Sequence, residues 1–146
     1  MDDEDRHEAD GQPESGLHAE RLTEHQRAPD RGDQGHQGPT PGERVLAVFD
    51  ASRAWAEEFS PRGCSMVNAH VEIGDPAHPA HPIITGQKRW MLALFTDLAS
   101  EIAPETADST ARTLMLLHEG ALVAHGLGVF LDAIALAREQ ARALLA

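Results

Sequence analysis

Few residues in this sequence have the type and spacing that chemistry requires, and the first is Cys64, the single cysteine. It follows a glycine at the expected start of a helix, where the helix dipole favours a thiolate. Such a thiol could be nucleophilic or redox-responsive, but no His–Asp pair is placed by the sequence to activate it. A small buried residue at a helix N-terminus is the other interpretation. A lone cysteine excludes an intrachain disulfide.

His78 and His81 have a spacing that occurs in metal sites. Each precedes a proline, which biases both residues toward extended conformations, so they would not share a helical face. A metal would need a third ligand, and His70 or Glu72 could supply it only if the fold brought one of them close. We therefore expect loop histidines that cap or precede a helix, and no bound metal.

His118 and His125 lie two turns apart on one stripe of an expected helix, too far apart to ligate one metal together. They are either core histidines bonded to neighbours, or His118 presents a polar group to a ligand. Glycine-rich phosphate loops, paired catalytic carboxylates and a nucleophile elbow are absent. The sequence thus predicts no catalytic residue, no cofactor and no enzyme activity.

Bulky and polarizable side chains are distributed over four consecutive expected helices. They are sufficient to fill a core, and they equally suit an apolar cavity with one or two polar anchors. The pattern alone leaves both interpretations open. These residues are Phe49, Trp55, Phe59, Met66, Trp90, Met91, Phe95 and Met115.

The elements that would position these residues are all helical. Thr40, Pro41 and Glu43 form a capping box with proline at the first helical position. An apolar stripe of helical period follows as far as Phe59, and a short second helix is predicted over 64–73. Three more helices are predicted: from after Pro82 to about Ile102, from after Pro104 to about His125, and from Val129 to Leu145. No segment alternates like a strand, so the fold class is all-α with five helices.

Composition divides the chain into two parts. Residues 1–39 are charged and Gly-rich with few apolar side chains, which predicts a disordered acidic tail in which 17–26 could form two or three helical turns. Residues 40–146 hold both tryptophans and all four phenylalanines, and we expect them to form one domain. No signal peptide or membrane-length apolar run is present, which favours a cytoplasmic protein.

The formal net charge of −12 argues against nucleic-acid binding. Residues 1–43 contain twelve acidic residues and four arginines, a net −8, and residues 44–146 contribute −4. Acidic surfaces repel phosphate, so neither part has the electrostatic pattern of a DNA-binding surface.

The last two expected helices carry small side chains on more than one face, in Glu119–Gly126 and in the Ala-rich 132–146. Small residues allow helices to approach closely, and apolar residues on two faces require two partners. One partner is the domain's own core. The other is predicted to be the same helix pair of a second copy, which gives a four-helix, two-fold interface.

Four stretches together resemble the C-terminal regulatory domain of the tetracycline-repressor (TetR) family of bacterial transcriptional regulators. They are Arg44–Asp50, the "GC…NA…E" segment Gly63–Glu72, the "L…EGA…A" segment Leu116–Ala124, and the Ala/Arg-rich segment Ala133–Leu145. The resemblance covers 40–146, and the second stretch is the most specific.

The resemblance implies a small-molecule effector bound among the middle helices, and a homodimer formed through the last two. By implication the effector, expected to be apolar or aromatic, would contact Phe49, Met66, His70, Trp90, Met91, Phe95, Leu114 and His118. The dimer interface would include Gly120, Ala121, Ala124, Phe130, Ile134, Ala137 and Ala141.

The departure from the family pattern is at the N-terminus. Family members begin with a three-helix unit that reads DNA, and residues before Leu17 lack the core and charge for a helix-turn-helix. A truncated repressor is therefore expected, which would bind DNA only through a helix-turn-helix domain absent from this chain. The alternatives are a standalone interaction protein that heterodimerises with full-length relatives, and a small helical metal-binding protein.

Overall fold

The beginning of the first helix follows directly from local hydrogen bonding. In the computed structural model the Thr40 hydroxyl accepts a hydrogen bond from the Glu43 amide at 3.2 Å, and the Glu43 carboxylate accepts one from the Thr40 amide at 2.7 Å. The capping box is therefore confirmed, and helix α1 begins at Pro41. The structure describes residues 38–146, so the tail expected for 1–39 lies outside the described residues except for its last two.

Residues 38–146 contain five α-helices and no strand, as the all-α prediction requires. A single 3₁₀ turn over Pro104–Thr106 links the third and fourth helices, where Pro104 interrupts the regular hydrogen bonding. The helices are α1 (Pro41–Phe59), α2 (Ser65–Glu72), α3 (Ala80–Ile102), α4 (Ala107–Leu127) and α5 (Ala133–Leu144).

Helix α5 begins at Ala133, and the prediction that it starts at Val129 is wrong. Gly128 has a φ of 63° and ends α4, and Asp132 has a φ of 60°, so the backbone is left-handed at both ends of the connection. The intervening residues therefore form turns and bends instead of a helical turn. Their apolar side chains continue the helical pattern, which explains the error.

Helix α3 begins at Ala80, three residues earlier than the start after Pro82 that the sequence predicts. Pro82 lies in the first turn, where a helix needs no N–H from that residue. His81 is consequently helical, whereas His78 stays before the helix and its Nδ1 accepts a hydrogen bond from the Ala80 amide at 3.1 Å.

Four helices enclose the core: α1 packs on α3 and α5, and α4 packs on the same two helices. The largest fully buried side chains are Val45 and Phe49 of α1, Phe95 of α3 and Leu114 of α4. An ion pair between Arg138 and Asp50, at 2.7 Å, joins α5 to α1 at the surface. None of the helices in this part of the chain is long and apolar enough to cross a membrane.

Helix α2 has no buried residue, and its position depends on the turn that precedes it. Gly63 has a φ of 86°, and a Cβ atom there would lie 2.6 Å from the Leu122 carbonyl oxygen of α4. A Cβ atom at Gly126 would lie 2.4 Å from the Arg62 carbonyl oxygen. Two glycines thus allow the backbone of the turn to lie directly on the backbone of α4.

Substitution of either glycine should destabilise the fold. Gly63→Ala and Gly126→Ala should each lower the free energy of unfolding by roughly 1–3 kcal/mol, because the added methyl group overlaps backbone atoms and, at Gly63, the φ is unfavourable. Urea denaturation would measure this. The control is Gly86→Ala, in open space inside α3, which should stabilise by up to about 1 kcal/mol. Equal effects at all three positions would contradict the contact.

Candidate functional site: an apolar cavity with a row of polar groups

A cavity of about 530 Å³ opens to solvent between α1, the start of α2, α3 and α4. Its walls are mostly apolar and come from each of these helices: Val48, Ala51, Trp55, Ala56, Met66, Trp90, Met91, Leu94 and Leu122. The polar residues on the walls are Ser52, Ser60, Cys64, Ser65, Gln87, Lys88 and His118. Its volume is within the range of small-molecule sites.

Of the eight residues expected to contact an effector, four line this cavity: Met66, Trp90, Met91 and His118. Trp90 is 61% exposed. Trp55 also lines the cavity, and its ring lies 4.6 Å from that of Phe59. The two tryptophans give the cavity aromatic surface that a ligand can reach from solvent.

The other four residues lie elsewhere. Phe49, Phe95 and Leu114 are fully buried in the core and do not line the cavity. Helical periodicity identified their inward face correctly but could not give their depth below the cavity floor. Phe49 and Phe95 instead pack against the His118 ring, with ring centroids 5.7 and 6.1 Å away. They therefore support a cavity residue without touching the cavity.

His70 is exposed on α2 and contacts the ring of His81, with centroids 5.3 Å apart. The fold thus brings together two of the histidines considered as metal ligands. Within residues 38–146, however, no group of three His, Cys, Asp or Glu side chains could hold a metal ion. His81 Nε2 lies 2.9 Å from the Asp75 carbonyl oxygen, a contact that fixes the start of α3.

A continuous row of polar groups crosses the cavity wall from α1 to the start of α2. Ser52 Oγ lies 2.7 Å from His118 Nε2, and His118 Nδ1 lies 3.2 Å from Glu119 Oε1. Lys88 Nζ donates to Glu119 at 2.9 Å and to Cys64 Sγ at 3.3 Å. We call Ser52, His118, Glu119, Lys88 and Cys64 the polar row.

Glu119 carries the negative charge of the polar row. Burial raises the pKa of its carboxyl. Hydrogen bonds from His118 and Lys88, together with the charge of Lys88, lower the pKa by a larger amount, so the net shift is downward from 4.5. Glu119 is therefore ionised at neutral pH and acts only as an acceptor. His118 Nδ1 then donates to it, and in the tautomer that carries its proton on Nδ1, Nε2 accepts from the Ser52 hydroxyl.

The order serine, histidine and carboxylate also occurs in hydrolases, where geometry and not sequence position defines the site. Acyl transfer additionally requires two donors that hold an oxyanion. Ser52 lies inside α1, so the neighbouring amides already donate to carbonyls of the same helix. Those amides are therefore not available to hold an oxyanion beside Ser52.

Sequence reasoning missed Lys88, Glu119 and Gln87. Ser52 was visible as a polar residue in the apolar stripe of α1, and that irregularity was the available signal. Lys88 and Glu119 are 31 residues apart and meet only because α3 packs on α4. Charged residues at such a separation carry no sequence signal of their pairing.

The expected interface residues divide into internal and external groups. Ala121, Ile134, Ala137 and Ala141 are buried within the single chain, where they pack α4 and α5 into the core. They do not present a surface to a second copy, because the small side chains serve close packing inside the chain. Ala124 is half-buried, and Gly120 and Phe130 are exposed.

A different set of apolar residues is exposed on these helices. Leu116, Val123 and Leu127 lie with Gly120 at helical spacing on the outer side of α4, and Leu116 and Leu127 are 74% and 73% exposed. Leu136 and Leu144 are exposed on α5. We call these six residues the α4–α5 apolar face. Single exposed apolar residues are normal on a monomer, whereas here three lie in a row on α4.

Comparison with known proteins gives one informative match. The crystal structure of a TetR-family transcriptional regulator from Streptomyces coelicolor is similar to this chain, with a TM-score of 0.60 and 28% sequence identity. The similarity covers 75% of this chain and 56% of the Streptomyces protein, so the chain spans little more than half of that regulator's length. No protein-family model matches the sequence, and no curated protein matches it either. The all-α, TetR-like fold expected from the sequence is confirmed.

The charge state of Glu119 makes a prediction about pH. Because its folded pKa is lowered, its contribution to stability is complete above about 4.5 and is lost as the pH falls through the lower folded value. Glu119→Gln should therefore cost roughly 1–3 kcal/mol at neutral pH and little in acid. Melting temperatures measured across a pH series should therefore differ between the unmodified protein and Glu119→Gln at neutral pH, and should become equal in acid. The control Glu58→Gln, at an exposed position of α1, should leave the melting temperature unchanged at neutral and at acidic pH. If the melting temperatures of the unmodified protein and Glu119→Gln differ by the same amount at every pH, the lowered pKa of Glu119 would be contradicted.

Proposed function

We propose that residues 40–146 are the effector-binding and dimerisation domain of a TetR-like transcriptional regulator. The observation that carries the proposal is the apolar cavity crossed by the polar row, found within a fold similar to that of the Streptomyces regulator. A cavity of this kind, with a few convergent polar groups, is the usual form of a small-molecule site. The role is ligand sensing in the cytoplasm, without catalysis.

The cavity walls support an apolar or aromatic effector. Apolar side chains from α1, α3 and α4 surround it, while Met66 and Cys64 bring in the start of α2. Methionine adapts its shape to different ligands. Since α2 has no buried residue of its own, it is the helix most easily displaced when a ligand enters. Its displacement would be the conformational change by which such a regulator responds.

The α4–α5 apolar face supports the homodimer. Two copies that pair these faces would form a four-helix interface with two-fold symmetry. A stable interface buries about 1,600 Å² in total, and its centre is apolar. The face replaces most of the alanines inferred from the sequence, of which only Ala124 is partly accessible.

DNA binding in such regulators is the task of a helix-turn-helix unit. The residues that form the cavity and the α4–α5 apolar face would therefore make no contact with DNA. Residues 44–146 carry a net charge of −4, which disfavours contact with phosphate. Pairing with longer relatives through the same face is the alternative function, and it would use the same surface.

The cavity can be tested by blocking it. Aromatic ligands should quench tryptophan fluorescence, since Trp55 and Trp90 line the cavity, and should raise the melting temperature by mass action. Ala51→Phe fills the cavity from an exposed wall position and should abolish both effects. Ala54→Phe, one turn along α1 and outside the cavity, should retain them. A broad ligand screen without quenching or thermal shift would refute the effector site.

The dimer can be tested with a matched pair of substitutions. Val123→Arg places a charge in the α4–α5 apolar face and should weaken pairing at least tenfold, about 1.4 kcal/mol. Val71→Arg makes the same change at an exposed position of α2 and should leave pairing intact. Light scattering across a concentration series would measure both masses. A monomeric mass for the unmodified protein at micromolar concentration would refute the interface.

A further inference from the structure

The direction of hydrogen bonding along the polar row determines what Ser52 can offer a ligand. Ionised Glu119 accepts from His118 Nδ1, and in the tautomer with its proton on Nδ1 the ring accepts at Nε2 from the Ser52 hydroxyl, 2.7 Å away. The serine proton is thereby committed. Ser52 Oγ, which lines the cavity, retains lone pairs only and can accept but not donate.

A second acceptor lies on the same cavity walls. Gln87 Oε1 is buried and has no hydrogen-bond partner within the described chain. A buried carbonyl without a partner is destabilising, so a ligand that donates to it recovers free energy. Ser52 and Gln87, on α1 and α3, therefore both call for a ligand with an N–H or O–H group.

The charges of the polar row disfavour ionic ligands. Lys88 and Glu119 pair at 2.8 Å and neutralise one another, with only about a fifth of each side chain exposed. Lys88 lines the cavity, but a carboxylate ligand would have to compete for it with Glu119, which is already paired with it. An ammonium ligand would be desolvated against mostly apolar walls. Around the His118 ring, α1 contributes Phe49 and Ser52 and α3 contributes Phe95, so no further charge contacts the ring from these helices.

We propose that the ligand of this cavity is an uncharged aromatic compound with a hydroxyl group, such as a phenol, and that Ser52 accepts the hydrogen bond of that hydroxyl. The inference rests on the proposed effector site and specifies its ligand class. Trp55 and Trp90 provide aromatic walls for the ring system, and Ser52 determines its orientation. Aromatic molecules that lack the donor fit the same space but make no hydrogen bond to the Ser52 oxygen.

The test compares three probes of similar size and shape: 2-naphthol, 2-methoxynaphthalene and 2-naphthoate. Affinities are measured at neutral pH by tryptophan quenching and by calorimetry. The naphthol should bind about five- to tenfold more tightly than the methoxy compound, the ratio that one net hydrogen bond gives. Partition by hydrophobicity alone would give the opposite order, because the methoxy compound is the more apolar. Naphthoate should bind most weakly.

Substitutions assign the preference to Ser52. Ser52→Ala should reduce the ratio of naphthol to methoxynaphthalene affinity to about one, by weakening naphthol alone, and Ser52→Thr should restore the ratio because it keeps the acceptor. Ser65→Ala removes another cavity serine, outside the polar row, and should leave the preference unchanged. The ranking in the unmodified protein tests the ligand class independently of how well these variants fold.

The outcomes separate the two levels of the proposal. Equal or tighter binding of methoxynaphthalene or naphthoate by the unmodified protein would overturn the ligand class and leave the effector site standing. A naphthol preference that survives Ser52→Ala would overturn the role of Ser52. If none of the probes binds up to its solubility limit, the ligand class is overturned, and the broad ligand screen described above decides whether the effector site stands.

Discussion

The cavity depends on one backbone contact, between the turn at Gly63 and the last turns of α4 at Gly126. At both positions a side chain would overlap carbonyl atoms of the opposing segment. This contact holds the end of α1 and the start of α2 against α4. The position of helix α2, which buries none of its own residues, depends on this contact. Without this anchor Cys64 would not reach Lys88, and the cavity would lack one wall.

The helices were largely predictable because their signals are local. The hydroxyl of Thr40 and the carboxylate of Glu43 act within one turn, and the apolar stripe of α1 is read along a single segment. The start of α5 was not predictable, since Val129–Leu131 are as apolar as a helix face. What ends helical geometry there is the left-handed backbone at Gly128 and Asp132. Aspartate adopts that conformation more often than most residues do, but the sequence does not show where it does so.

The site was predictable in kind but only partly in detail. Periodicity assigns a residue to the inward face of a helix, but it does not distinguish Met91, on the cavity wall, from Phe95, one turn deeper in the core. The polar row was not predictable, because its members come from four segments and meet only in the packed chain. Alanines on α4 and α5 misled for a related reason: small residues indicate close packing, whether within one chain or between two.

Helix α4 carries the polar row on one side and the α4–α5 apolar face on the other. His118 lines the cavity, while Leu116 and Gly120, each two residues away, lie on the outer surface. In a dimer paired through that face, a rigid helix connects each ligand to the other copy. Thermodynamic linkage then acts in both directions. If a bound ligand makes the free energy of dimerisation more favourable, dimerisation makes the free energy of ligand binding more favourable by the same amount. In such a dimer, protein concentration would thus change the apparent affinity for the ligand.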